Sequence, residues 1–306
     1  MGQYKYSVII PHFTRGGNVK DLQRLVASIP EDDDVQVIVV DNSLRPISNE
    51  LFKERSNVAI FYSPNDRYAG GARNVGMEKA KGKWLIFADA DDYFSEDAFT
   101  IFDDYYESQA DVIYFSADGI YPETGERSNS ADLYTNLVKD FLNDKSKENE
   151  IRISFHVPWA KMVKREFVID GGYKYDEVIA NNDDYFAMLI GYYAKEIAAV
   201  DKCVYYYTVT HGSLTKRRSF NVLYARLKVI LRKNKFLREH KLSSYQGSVM
   251  FLLSEILKLG VIPFFKASGL IIKYRQNPFV GSSNWVKTMS KSRRLEKKNK
   301  EYLTKD

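Results

Sequence analysis

The chain has 306 residues, 44% hydrophobic and 28% charged, an ordinary balance for a soluble globular protein with room for one large domain or two small ones. Its net charge of +5 is concentrated in Trp285–Asp306, which carries eight basic and three acidic residues, and so confined a charge argues against a nucleic-acid partner. One cysteine, Cys203, excludes an internal disulfide and fits a reducing compartment. Met1–Lys5 leads into a strand without an apolar leader, and no segment reaches about 18 uncharged apolar residues, so neither a signal peptide nor a membrane-spanning helix is expected.

The β-branched run Tyr6–Pro11 predicts a first buried strand, followed by a loop containing Gly16 and Gly17. Val19, Leu22, Leu25, Val26 and Ile29 have helical spacing and stop at Pro30. Val35–Val40 is a second strand ending in Asp41 and Asn42, Leu51–Ser56 a short helix, and Val58–Tyr62 a third strand. Asn65–Gly71 is read as a loop, Ala72–Ala80 as a helix, and Lys83–Ala88 as a strand running into Asp89, Asp91 and Asp92. Alternating strands and helices over about ninety residues predict a parallel sheet with right-handed crossovers. A helix at Phe99–Ser108 and a strand at Asp111–Ser116 follow. Tyr121–Glu150 is polar and turn-rich, with a helix near Leu133–Leu142. Trp159–Ile169 starts a strand or helix, Asn182–Tyr193 is helical, and Val200–Val209 is a tyrosine-rich strand. From Phe220 onward the pattern is helical and basic.

The carboxylates Asp89, Asp91 and Asp92 fall at the C-terminal end of a strand, where open α/β sheets bind ligands. If the backbone stays extended, Asp89 and Asp91 point the same way and suit a hard divalent cation such as Mg²⁺ or Mn²⁺. The alternative is a helix cap, a role best suited to Asp92. Pro11–His12 and Asp41–Asn42 end neighbouring strands on the same edge. Arg73 is placed in the first turn of its helix, where a cation opposes the local dipole and implies an anionic partner.

Ser7–Pro11, Val39–Asn42, Gly71–Gly76 and Phe87–Asp92, in that order and spacing, resemble the nucleotide-binding half of the family-two glycosyltransferases. Pro158–Lys161, Asn182–Phe186 and Tyr206–Ser213 extend the resemblance over about residues 5 to 215. It implies a GT-A-like, Rossmann-type, mostly parallel α/β sheet flanked by helices. It also implies an inverting transfer of sugar from a nucleotide donor, UDP-linked, with Mg²⁺ or Mn²⁺. By the same resemblance Asp41 meets the uracil ring, with Pro11, His12 and Phe13 around the base. Arg73 faces the nucleotide, Asp89 contacts the ribose and Asp91 holds the metal. Asp183, with Phe186 three places on, takes the acceptor proton, and Asp184 is the alternative base. Asn182 departs from the family's usual Glu at that place. Trp159 and Lys161 are assigned to the donor-sugar or acceptor side, with a core role the alternative for Trp159. His211 is assigned to the metal or diphosphate, and Lys216, Arg217 and Arg218 to the phosphates.

The expected organisation is a catalytic domain over 1–218 (nucleotide-binding half to about 116, acceptor half 117–218), a helical extension over 219–284 and a basic tail over 285–306. The C-terminal third interleaves apolar stretches with Lys258, Lys266, Lys273 and Arg275, a pattern that fits either a packed helical subdomain or an anionic membrane interface. The expected setting is cytoplasmic, peripheral on the inner face of a bacterial membrane, with a saccharide or lipid-linked acceptor in surface-polysaccharide synthesis. A sugar nucleotidyltransferase is a poorer fit, because Pro11–Gly17 is not a glycine-rich basic loop. A silent scaffold binding membrane or polysaccharide is favoured only by Asn182.

Overall fold

A computed structural model of the chain describes residues 4–14, 19–209 and 218–281. Two compact units emerge, Met1–His211 and Gly212–Asp306. His211, Lys216, Arg217 and the basic tail lie outside the described residues.

In the first unit the elements run β1 (Tyr6–His12), α1 (Lys20–Ala27), β2 (Val35–Asp41), β3 (Val58–Tyr62), α2 (Tyr68–Lys79), β4 (Trp84–Phe87), β5 (Tyr93–Phe94), α3 (Ala98–Asp104), β6 (Val112–Ile120) and β7 (Arg127–Ser128). They continue as α4 (Asp132–Asn143), α5 (Glu148–Ser154), β8 (Lys161–Lys164), α6 (Arg165–Asp170), α7 (Asp184–Tyr193) and β9 (Ile197–Thr208). One sheet has the order β3-β2-β1-β4-β8-β6-β9-β5, with β7 on the edge of β6. It is parallel from β3 to β4, as the alternating strands and helices predict, and mixed beyond. There β8 enters antiparallel between β4 and β6, whereas β6 and β9 run parallel. This α/β architecture is that of the GT-A glycosyltransferase structures.

The parallel half is apolar on both faces: Val8, Ile9, Ile10, Val37, Ile38, Val39 and Val40 are all inaccessible to solvent. Its register sets the upper edge. His12 faces Asp41 across β1 and β2, and the β1–β4 pairing ends at Ile9 and Phe87, after which the chain leaves the sheet.

Helix α2 begins at Tyr68, four residues before its expected start, and absorbs Gly70 and Gly71. Gly70 and Gly76 serve close approach rather than a turn. A Cβ on Gly70 would lie 1.9 Å from the Asp176 carbonyl, and one on Gly76 would lie 2.4 Å from Ile9. Arg73 therefore sits in the second turn, and the dipole argument for its anionic partner lapses. The partner is supplied by tertiary structure instead.

In the second unit α8 (Phe220–Glu239), α9 (Met250–Leu257) and α10 (Val261–Lys273) pack Leu223, Leu227, Leu231, Leu252, Ile256 and Ile271 into a separate core. These helices enclose an interior of their own.

Candidate active site

The three carboxylates after β4 are not extended. The Asp92 N–H donates to the Asp89 carbonyl at 3.0 Å, closing a turn, and the three side chains take three environments. Asp89 pairs with Arg73, whose Nη2 lies 2.5 Å from Oδ1. Asp91 is exposed, and among the described residues no other group donates a hydrogen bond to its carboxylate. Protein packed around that carboxyl, and then the Asp89 charge, push it up to about 6. Asp92 turns into the core at 1% exposure. Its carboxylate accepts from the Thr208 N–H at 2.8 Å and from the Tyr205 hydroxyl at 2.9 Å. Burial, then the Asp91 and Asp89 charges, raise it well above the ordinary range.

A capping role for Asp92 is therefore wrong. β5 intervenes before the next helix, and Asp92 ties the turn to β9. Tyr205 completes the tie: its hydroxyl accepts from the Asp89 N–H at 2.9 Å and donates to Asp92. From the other side, Arg24 of α1 donates to the Asp91 carbonyl and lies 5.3 Å from the Tyr93 ring centroid. The turn is thus fixed through its backbone, leaving the Asp91 side chain uncommitted.

Arg73 is the hub of the site. It is 4% exposed, and its Nη1 donates to the Asn182 side-chain oxygen at 2.8 Å while Nη2 holds Asp89. Burial alone would lower its pKa, but Asp89, Tyr175 and Asp183 together outweigh this and raise it. Its guanidinium lies 5.3 Å from the Tyr175 ring centroid, and Tyr175 stacks on Phe186 at 4.0 Å. Phe186 also meets Phe87 edge-on at 6.0 Å. One column of side chains therefore connects the end of β4, helix α2 and the start of α7. Asn182, where the sequence departs from the family's Glu, serves here as a neutral acceptor for Arg73.

The segment before α7 is clasped by α2. Asn74 exchanges two bonds with the Tyr175 backbone, at 3.1 and 2.9 Å, and Arg67 pairs with Glu177. The chain then passes through Asn181 at φ 55°, a left-handed conformation unusual for a non-glycine residue. Asp183 follows at the N-terminus of α7, where its side chain caps nothing and takes no hydrogen bond from any described residue. Burial raises its pKa; the Asp184 and Asp89 charges add to this, against the pull of Arg73 and His156. Asp184 is 8% exposed and opens α7.

At the β1–β2 end, Asp41 is 1% exposed. Its Oδ1 accepts from His12 Nδ1 at 3.1 Å and from the Ser43 N–H and hydroxyl, and its Oδ2 from the Ile47 N–H at 2.9 Å. Burial pushes Asp41 up, but these donors outweigh it and hold the pKa below the ordinary value. Pro11 and His12 are buried; Phe13 is 47% exposed beside them.

Trp159 and Lys161 stand elsewhere. Trp159 is 2% exposed and stacks on Tyr205 at 5.4 Å, behind the carboxylate turn. Lys161, equally buried, donates to the carbonyls of Phe155 at 2.9 Å and Val157 at 2.5 Å. Both side chains are enclosed by protein, Trp159 against the Tyr205 ring and Lys161 by two backbone carbonyls. Sequence reading missed Tyr205, Thr208, Tyr175 and Arg24. Tyr205 and Tyr175 are single tyrosines among 22, and no local pattern sets them apart.

Residues 7–172 match the family described as glycosyl transferase family 2, which is more than half of the chain. The chain belongs to that family. An uncharacterized glycosyltransferase of Haemophilus influenzae is 37% identical over 57 residues, which is 19% of this chain and only 22% of that protein. Streptococcus pneumoniae glycosyltransferase GlyG is 24% identical over 240 residues, 72% of this chain and 75% of its own. Staphylococcus aureus TarS, a poly(ribitol-phosphate) beta-N-acetylglucosaminyltransferase, is 25% identical over 222 residues, 68% of this chain and 36% of its own. The structure of TarS with UDP-GlcNAc superposes with a TM-score of 0.63 at 22% identity, over 88% of this chain and 81% of that one. A Pyrobaculum calidifontis mannosyltransferase solved with GDP-Man and Mn²⁺ gives a TM-score of 0.53 at 12% identity, over 90% and 83% of the two chains. At these identities the superpositions speak to the fold.

Proposed function

We propose that the chain is an inverting glycosyltransferase that moves a sugar from a UDP-linked donor to a hydroxyl of a saccharide or lipid-linked acceptor. The observation that carries this reading is Asp183, a carboxylate of raised basicity whose oxygens are uncommitted. As the acceptor oxygen bonds to the anomeric carbon, the bond from that carbon to the diphosphate oxygen breaks and the hydroxyl proton must leave. A positioned carboxylate takes it. Attack opposite the leaving group inverts the centre. The deeper burial of Asp184 makes it the poorer base.

The donor half follows the strand ends. Among the described residues Asp41 Oδ2 accepts one bond, from Ile47, which leaves a lone pair for a ring N–H of uracil. Exposed Phe13 offers a face to the base. Asp89, oriented by Arg73, is the ribose contact. Divalent Mg²⁺ or Mn²⁺ is commonly held by one or two carboxylates and the substrate's own phosphates. An uncommitted Asp91 with the Asp89 charge beside it fits that donor set, although no trio of metal-ligand side chains clusters among the described residues. Asp91 would hold the ion, which when bound would neutralise charge on the leaving diphosphate. The ligands bound in the TarS and mannosyltransferase structures support a nucleotide-sugar donor and a divalent cation. The activity of TarS, a poly(ribitol-phosphate) beta-N-acetylglucosaminyltransferase, supports a role in building a polymer. A setting at the inner face of a membrane accords with that role and with the basic second unit.

The test is release of UDP from a panel of UDP-sugars with Mn²⁺, Mg²⁺ or chelator, comparing wild type with Asp91→Ala and Asp183→Asn. Strong loss in both variants is expected. Equal turnover in all three would overturn the mechanism, and no turnover with any donor would favour the scaffold reading.

A further inference from the structure

We propose that the outward face of α10 is a docking surface for an anionic lipid bilayer. Helix α10 turns Ala267 and Ile271 inward, where they join the core of the second unit. On the opposite side lie Ile262, Phe265 and Ile272, at spacings of three and seven, with Gly269 between the last two. They are 85%, 68% and 77% exposed. Val261, at 61%, extends the same face, and Leu257 and Leu259, before the helix, are 51% and 43% exposed. Single exposed apolar residues need no explanation, but four on one face of a helix do.

Charge identifies the occupant. Residues 218–281 contain twelve Lys and Arg against two acids, Glu239 and Glu255. Helix α10 has no acidic residue, and Lys258, Lys266, Lys273 and Arg275 bracket its apolar stripe. Glu255 is already paired, with Lys258 and with Arg218 at 3.6 Å. Lys266 is drawn aside, its ammonium 5.6 and 5.4 Å from the Phe220 and Tyr224 ring centroids, which leaves the stripe clear. A second copy of this face would meet it with like charge. An acidic protein surface would satisfy the lysines but leave Ile262 and Phe265 in water. A bilayer with anionic headgroups supplies both parts, apolar chains for the stripe and negative charge for its rim. With 13 residues α10 is too short to cross the hydrocarbon, so it would lie in the interface.

This surface deepens the membrane-side setting proposed above, but its test needs no turnover, so the two readings fail separately. The full chain is floated with vesicles of phosphatidylcholine alone and of phosphatidylcholine mixed with phosphatidylglycerol. Binding is expected only to the mixed vesicles. Ile262→Asp with Phe265→Asp should weaken it at least tenfold with an unchanged melting temperature. Lys258→Gln with Lys273→Gln should weaken it about fivefold for each charge removed. Undiminished binding by the Ile262/Phe265 pair would overturn the proposal, because the attachment would then lie outside this face. So would equal binding to neutral vesicles, absence of binding, or wild-type self-association abolished by the same pair, which would mark the face as a contact between copies.

Discussion

The two units treat charge in opposite ways. Residues 1–211 contain 23 basic and 35 acidic side chains, and residues 212–306 contain 22 and 5. In the first unit ionisable groups go inside: Asp41, Arg73, Asp92, Lys161 and Asp184 are all nearly inaccessible. In the second, the buried polar side chains among the described residues are the amides Asn234, Gln246 and Gln276, and the cations are half-buried or exposed. Enclosed charges are expensive unless each is paired and hydrogen-bonded, so a fold that keeps several fixes their geometry tightly, as chemistry requires. Displayed charge beside exposed apolar surface fixes little internally and is suited to an extended partner.

The sharpest way to break this contrast is at Asp183. Asp183→Asn keeps the shape and removes the base, so kcat should fall about 10²- to 10⁴-fold, while vesicle binding by the second unit stays unchanged. A pH profile refines the point. Asp183 must be ionised to act and its pKa is raised, so activity should fall as pH drops through a value above the ordinary aspartate pKa of about 3.9. That acid limb should vanish in the variant. Loss of vesicle binding in Asp183→Asn would mean that the units do not divide the work.

Next in size is Arg73→Met. It removes the cation that joins Asp89 to Asn182, and a pair that is fully buried would cost about 3–5 kcal/mol when broken from one side. Here the Asp89 side chain is 31% exposed and water can compensate it in part, so about 2–3 kcal/mol is expected by chemical denaturation. Arg73→Lys should recover little, because a single ammonium cannot serve two acceptors in fork geometry. A loss below about 0.5 kcal/mol would show that the column through Tyr175 and Phe186 holds without its cation.

How much of this was legible in the sequence follows from range. The strands of the parallel half and the edge carrying Asp41 and Asp89–Asp92 were readable because buried β-branched runs and their polar ends are local patterns. The start of α2 was misread because glycine pairs signal loops, whereas here Gly70 gives way to the Asp176 backbone from a hundred residues on. The separate directions of Asp89, Asp91 and Asp92 were hidden for the same reason: Tyr205 and Thr208 of β9 turn Asp92 inward, and nothing near residue 92 encodes that. Charge was misjudged by where the chain was divided. Counting from Trp285 balanced the remainder at 37 against 37, because the acidic first unit cancelled the basic helices. Divided at residue 211 the asymmetry is plain.

A smaller effect probes the tie itself. Tyr205→Phe deletes the hydroxyl between the Asp89 N–H and Asp92, leaving a buried donor and a buried carboxylate oxygen each short of a partner. About 1–3 kcal/mol should be lost. If the turn is what holds Asp91 in place, kcat should drop as well in a fold that remains intact by circular dichroism. A variant with normal kcat would assign Tyr205 to stability alone.

The smallest effect should come from the outward face of α10, which tests the contrast from its other side. Ile271 and Ile272 are neighbours of one type, yet one is 7% and the other 77% exposed. Ile271→Ala should cost about 2–4 kcal/mol, since a core with few large side chains cannot readily close the cavity. Ile272→Ala should move stability by no more than about 0.5 kcal/mol, because the free protein already leaves that side chain in water. Its loss should register only when vesicles are present. Were Ile272→Ala as damaging as Ile271→Ala in their absence, the outward face would already be covered in solution, and the second unit would resemble the first in enclosing its surface.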